Sequence, residues 1–188
     1  MRAGVASLVL FAAASLVYAN SLAGAFVFDD TVIIQGNEAI RGLDLEHLRQ
    51  IFGAHYWKAV ESRGGLYRPV VMLTYALNYA MGGEDPEGYH LFNILVHAAN
   101  GIWVFVLLEA LFRHRAFSLL AALLFVLHPI RTEGVASIVG RAESLSTFFM
   151  LAAWWLYAQA RRAERRAWLW LSVASFALAT LCKESAFA

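Results

Sequence analysis

Long apolar segments separated by short polar ones dominate the pattern of this chain. An α-helix needs about 20 predominantly apolar residues to cross the ~30 Å hydrocarbon core of a bilayer. Because segments of this kind recur, the pattern predicts an all-α polytopic membrane protein. It has about five transmembrane helices and one long outer loop, 23–88, after the first of them. The predicted spans are 3–22, 89–112, 116–134, 144–160 and 167–182.

The first apolar segment has a second interpretation, a secretory signal peptide. Ala23, Gly24 and Ala25 resemble the small-residue cleavage site of such peptides. The apolar stretch is longer than the signal core of about 7–15 residues, however. The length therefore favours a membrane span.

Two shorter helices are predicted inside the outer loop. The apolar segment 70–81 follows Pro69 and precedes Gly82 and Gly83, which bound it. As a helix it reaches only ~18 Å at 1.5 Å per residue, which is too short to cross the bilayer. We therefore expect an interfacial helix here. A short full span is the alternative, and it would turn the arginine-rich loops outward. A second helix is expected over 44–52, with Asp44 as its N-cap.

The arginines orient this arrangement. Cytoplasmic loops of membrane proteins carry an excess of Lys and Arg. If five spans alternate, one side collects seven arginines, and we assign that side and the N-terminus to the cytoplasm. These residues are Arg2, Arg113, Arg115, Arg161, Arg162, Arg165 and Arg166. The outer loop 23–88 and the segment 128–143 then share the opposite face.

Composition agrees with the membrane assignment. The 188 residues are 60% hydrophobic and 15% charged, against about 45–50% and about 25% in soluble domains. A formal net charge of +1 without a long basic run gives no indication of nucleic-acid binding. The single cysteine excludes a disulfide framework and a metal–thiolate site within the chain.

Span two carries a polar stripe. His90, Asn93, His97 and Asn100 recur at steps of three and four residues, so they share one face of a helix. Lipid cannot satisfy such groups, and the stripe must face protein or a watery cavity. For the last three residues, hydrogen bonding between helices is favoured over chemistry.

The outer face collects charged residues. Asp29 and Asp30 follow span one, and Pro129 is expected to break span three next to His128. We expect one of the two acids to face a polar cavity that is also lined by His128 or Arg131. Other charged residues on this face are Arg68, Glu133, Arg141, Glu143, Lys183 and Glu184.

This combination suits a membrane enzyme acting on a lipid phosphate. A carboxylate can accept a proton from a hydroxyl, and basic side chains bind phosphate. Asp29, Asp30 and Glu133 would also be able to hold a divalent cation if they converge. A transporter is an alternative, although it needs ionisable groups through the midplane and these cluster at the outer ends. A noncatalytic membrane scaffold subunit is another.

Several segments resemble one enzyme family. "FVFDD", "YRPVVMLTYALNY", "GYHLFNILVHA", "LHPIRTEGVASIVGRAESLS" and "KES" occur in the order found in the transmembrane and tetratricopeptide-repeat mannosyltransferases and their bacterial relatives. These belong to the GT-C glycosyltransferases, in which an acid of the first outer loop is the catalytic base. The resemblance assigns that role to Asp29 or Asp30, with Asp29 preferred. It assigns contacts with the donor phosphate and sugar to Arg68, His128, Arg131, Glu133, Arg141, Glu143 and Lys183.

The resemblance also implies the substrates and the location. The donor would be a polyprenyl- or dolichyl-phosphate sugar, with mannose as the sugar in characterised relatives, and the acceptor a protein hydroxyl. Transfer would occur at the outer or lumenal face of the bacterial inner membrane or the endoplasmic reticulum. Family members have further spans and tetratricopeptide repeats. We therefore expect this chain to be the N-terminal part of a GT-C membrane domain, and inactive alone.

Overall fold

The computed structural model describes residues 3–53, 56 and 65–187, and no β-strand occurs among them. The predicted all-helical architecture is confirmed. The α-helices are α1 (Ala3–Tyr18), α2 (Leu45–Gly53), α3 (Pro69–Gly82), α4 (Pro86–Phe112), α5 (Arg115–Leu127), α6 (Thr132–Ala136), α7 (Arg141–Ala163) and α8 (Arg166–Cys182). Short 3₁₀ turns extend α1 through Ala23 and connect α5 to α6.

Two of the described helices are long and apolar enough to cross a membrane. They are α1 with its 3₁₀ extension, Ala3–Ala23, and α4. The pair formed by α5 and the segment Pro129–Ala136 adds a third span if it is counted as one, with a bend of 51°. The break lies at Pro129, as predicted, because proline cannot donate the next helical hydrogen bond. The count of five spans stays a prediction.

α1 is packed into the bundle through one face. Ala6, Leu10, Ala14 and Tyr18 are buried at steps of four residues, the spacing that aligns side chains on one helix face. This face contacts α4 and α5. The arrangement is the one expected of a membrane span.

α7 and α8 pack against each other as an antiparallel pair. Three serine hydroxyls on the pair donate to carbonyls of the other helix: Ser172 to Ala153 O at 2.8 Å, Ser175 to Phe149 O at 2.8 Å and Ser146 to Ala179 O at 3.2 Å. Small residues at helix contacts let backbones approach closely in membranes. The pair brings Lys183, just beyond α8, close to the start of α7.

The two loop helices form at the predicted places. Asp44 Oδ1 accepts from the backbone N–H groups of Glu46 at 2.9 Å and His47 at 3.1 Å, and so caps α2. α3 begins at Pro69 and ends before Gly83, whose φ of +62° suits glycine. The location of α3 at the membrane interface stays a prediction.

Candidate functional site

A charged cavity opens where the segment 130–143 meets the starts of α3 and of the 3₁₀ turn after α8. Its volume is about 430 Å³. Three basic side chains line it, Arg68, Arg131 and Lys183, together with the acids Glu133 and Glu143. Five of the seven residues predicted to contact a donor therefore meet at one cavity, although they come from distant parts of the sequence.

Two of the three cations are paired with carboxylates. Arg68 donates to Glu184 through Nε at 3.1 Å and Nη2 at 2.6 Å. The Arg68 guanidinium holds the pKa of the Glu184 carboxyl below its usual range. Lys183 forms an ion pair with Glu143. These ion pairs hold the side chains of Arg68 and Lys183 at the cavity.

Arg131 is differently placed. Its guanidinium lies over the ring of Phe125, 4.4 Å from the centroid, and it forms no ion pair with any carboxylate in the described part of the chain. A cation over an aromatic face keeps its capacity to bind an anion. Arg131 is therefore the cavity cation most readily available to one.

The two adjacent acids differ in burial. Asp30 is 1% exposed, whereas Asp29 is half-buried. Asp30 Oδ2 accepts from Val27 N at 3.1 Å, and Oδ1 accepts from Val139 N at 3.0 Å. Desolvation by burial raises the pKa of the Asp30 carboxyl, although both backbone hydrogen bonds oppose the rise.

The acids and the cavity do not share a surface as expected. Arg131 lines the cavity, but Asp29, Asp30 and His128 are not among its described lining residues. Asp30 contacts the cavity wall through Val139, which lines the cavity and whose N–H it binds. Of the two acids, either of which was expected to face the cavity, Asp30 lies behind its wall.

His128 has a local structural contact. Its Nδ1 accepts from Ile130 N at 3.2 Å, which caps the 3₁₀ turn after α5. The residue is exposed. The turn that begins here carries Arg131 into the cavity, so His128 contributes to the position of that cation.

Arg141 is buried behind the cavity, with no exposed surface. Its Nε donates to Asn93 Oδ1 at 2.9 Å, and Nη2 donates to Tyr89 O at 3.0 Å. The guanidinium also lies 4.6 Å from the ring centroid of Tyr75 and 4.3 Å from that of Phe92. Arg141 thus joins α7 to α3 and α4 and has no access to the cavity in this arrangement.

Three members of the polar stripe of α4 are engaged in hydrogen bonds between elements, whereas both ring nitrogens of the buried His90 have no such partner among the described residues. Asn93 donates to Ser137 O at 2.9 Å, His97 Nε2 lies 3.1 Å from Val126 O, and Asn100 donates to Ser144 O at 2.8 Å. The interpretation preferred for these three residues is confirmed. Asn93 nevertheless belongs to the site, because it holds the loop that lines the cavity. The sequence signal for Asn93 was its spacing of three and four residues from the other members of the stripe.

The acids do not converge as a divalent cation requires. Within the described residues, no three His, Cys, Asp or Glu side chains are grouped as metal ligands would be. Asp29, Asp30 and Glu133 therefore do not form the oxygen cluster that hard cations prefer.

The chain matches one protein family over most of its length. The sequence pattern described as dolichyl-phosphate-mannose-protein mannosyltransferase matches residues 67–188. That range contains all three cavity cations and excludes Asp29 and Asp30. No solved structure matches the chain.

Curated relatives match nearly the whole chain. It is 38% identical over 174 residues to Protein O-mannosyl-transferase TMTC3 of Mus musculus, covering 89% of this chain and 18% of that protein. It is 36% identical over 179 residues to Protein O-mannosyl-transferase tmtc2 of Xenopus laevis, covering 92% and 21%. It is 34% identical over 204 residues to Protein O-mannosyl-transferase TMTC4 of Homo sapiens, covering 95% and 27%. The chain thus spans only 18–27% of the length of these relatives.

Proposed function

We propose, from the premise that this chain belongs to the dolichyl-phosphate-mannose-protein mannosyltransferase family, that the full-length protein transfers mannose from a lipid phosphate to protein hydroxyl groups. The donor would be a polyprenyl- or dolichyl-phosphate mannose. The observation that carries the proposal is the cavity of about 430 Å³ where Arg68, Arg131 and Lys183 meet. All three lie within the segment that matches the family.

The proposed reaction is a single displacement. The acceptor hydroxyl oxygen attacks the anomeric carbon of mannose as the bond from that carbon to the phosphate oxygen breaks. The lipid phosphate leaves with the bonding electron pair. Asp29 accepts the hydroxyl proton, which makes the oxygen a better nucleophile. Asp29 is preferred over Asp30 because Asp29 keeps access to solvent, from which an acceptor can approach, whereas Asp30 is buried.

The cations would stabilise the phosphate of the donor and of the leaving group. Arg131 would bind first, because no described carboxylate neutralises it. Arg68 and Lys183 would exchange Glu184 and Glu143 for phosphate oxygens, which present equivalent acceptors. These pairs keep the two cations in place and limit the cost of confining like charges together.

Orientation follows from the arginine distribution. We expect residues 29, 64 and 132 on the outer or lumenal side, with 114 and 164 in the cytoplasm; position 64 lies outside the described residues. Single cysteines at these positions, in a Cys182→Ala background, should react with an impermeant thiol reagent from opposite sides of sealed vesicles. Labelling of positions 132 and 164 from the same side would contradict the five-span arrangement.

A transfer assay tests the function directly. Purified full-length protein in lipid vesicles is supplied with polyprenyl-phosphate mannose, labelled in the sugar, and a peptide rich in serine and threonine. We expect label on the peptide hydroxyls, and none when nucleotide-linked mannose replaces the lipid donor. Donor binding without transfer to peptides or to whole membrane proteins would instead favour the noncatalytic subunit.

A further inference from the structure

The adjacent acids Asp29 and Asp30 face different surroundings. Asp30 is enclosed, and each of its carboxylate oxygens accepts a backbone N–H, one from its own loop and one from Val139. Asp29 is half-buried and keeps some access to solvent. The contact of Asp30 with Val139 joins segments 109 residues apart in sequence. A carboxylate that bridges two such segments holds them in register.

The loop 137–140, bound by Asp30, forms part of the cavity wall. Ser137, Val139 and Gly140 all line the cavity. Asn93 donates to Ser137 O at 2.9 Å and to Ile138 O at 3.3 Å. The loop is therefore bound from α4 through its carbonyls and from the first outer loop through an N–H.

The contact of Asn93 with the loop is itself fixed by the buried Arg141. Asn93 Oδ1 accepts from Arg141 Nε at 2.9 Å, which orients the amide so that its N–H₂ group points to the loop. Tyr75 adds a hydrogen bond from its hydroxyl to Ile138 O at 3.2 Å. Asn93, Arg141 and Tyr75 can keep the carbonyl side of the loop in place, but none of them binds Val139 N.

The loop has little room to adjust. A Cβ on Gly140 would clash with Glu133 O and lie 2.8 Å from Gly134 Cα, so the backbone folds tightly onto α6. A displacement of Val139 would therefore be passed to Gly140 and the segment 133–134, which also line the cavity.

We propose that the paired acids have separate roles, with Asp30 as a positioning residue that holds the cavity wall 137–140 through Val139 N. The consequence for mannose transfer rests on the proposed function, whereas the contact itself does not. Asp30 acts through the wall on the site of the donor, whereas Asp29, which keeps access to solvent, accepts the proton of the acceptor. The proposal explains why one acid of the pair is buried and the other is not.

Amide hydrogen exchange tests the contact in the full-length protein without turnover. Asp30→Ala removes both acceptors, and Asp30→Asn keeps the shape but turns an N–H₂ group toward one of the two donors. We expect exchange within 137–140 to rise roughly 10- to 100-fold in Asp30→Ala, and less in Asp30→Asn, as expected for loss of hydrogen bonds to a charged group. Asp29→Asn is the matched control and should leave this segment unchanged.

Two exchange results would overturn the proposal: unchanged exchange in both Asp30 variants, or a rise spread evenly over the chain. Kinetics then test the consequence. Asp30→Asn should raise the donor KM by a larger factor than it lowers kcat, whereas Asp29→Asn should lower kcat with little change in KM. The reverse split would overturn the division of roles. A parent protein that transfers no mannose would contradict the proposed function, and the exchange result would still decide the contact.

Discussion

Replacing Asp29 with asparagine is expected to lower mannose transfer by about 10²–10⁴-fold while donor affinity stays close to that of the parent. The amide keeps the size of the side chain and its ability to accept a hydrogen bond, but it cannot take the proton of the acceptor hydroxyl. Transfer and binding of polyprenyl-phosphate mannose are measured in parallel on the full-length protein. Expression and detergent stability must match between variants.

Glu46→Gln is a suitable control for this experiment. Glu46 is an exposed carboxylate on α2, in the same outer loop, so the change removes an acid without touching the cavity. It should leave transfer unchanged. Near-normal transfer by both Asp29→Asn and Asp30→Asn would refute the catalytic assignment of the pair. Loss of donor binding in Asp29→Asn with an intact fold would move Asp29 from proton acceptor to donor ligand.

Arg131→Ala is expected to weaken donor binding and transfer together, by roughly 10- to 100-fold in affinity. The physical reason is that a charge-assisted hydrogen bond to phosphate is lost. Arg131 forms no ion pair with a described carboxylate, so its binding to phosphate does not first require an ion pair to break. Arg131→Lys keeps the charge but not the planar fork, so its loss should be smaller. Titration of polyprenyl-phosphate mannose at two salt concentrations gives the affinities, and the difference between the variants should shrink at high salt.

Two comparisons make the Arg131 result specific. Arg165→Ala removes an exposed arginine at the start of α8 and should bind donor normally. Arg68→Ala should have a smaller effect than Arg131→Ala, because Arg68 must first give up Glu184. An unchanged donor affinity in Arg131→Ala, with a large loss in Arg68→Ala, would place the phosphate at the other end of the cavity.

Local elements were predictable because short-range chemistry decides them. Pro129 ends α5 whatever surrounds it, since a missing N–H breaks the helical ladder. Asp44 caps α2 because its carboxylate needs to reach only residues two and three positions on. The polar stripe of α4 had to face protein, because lipid offers no hydrogen-bond partner. Each of these predictions depends only on residues that lie close together in the sequence.

The set of cavity cations was also predicted, but only as a set. Arg131 and Lys183 were expected on one face because they occur at the outer ends of predicted spans, and Arg68 was expected there because it lies in the outer loop. Arg141 satisfied the same criterion and lies fully buried instead. Its position in the first turn of α7 faces α3 and α4, and that direction depends on how the helices pack. A rule based on span ends cannot separate a cavity arginine from a buried one.

The sequence alone determined that the chain is helical, that Pro129 breaks one helix and Asp44 caps another, and that five of the seven residues predicted to contact a donor gather at one cavity. Only the tertiary structure decided which way each of those residues faces. Asp29 and Asp30 are neighbours of identical chemistry, yet Asp30 turns inward. The turn before them, with Phe28 at a φ of +49°, and a hydrogen-bond donor at Val139 direct it there. That donor lies 109 residues further along the chain, and no local sequence signal links residues so far apart.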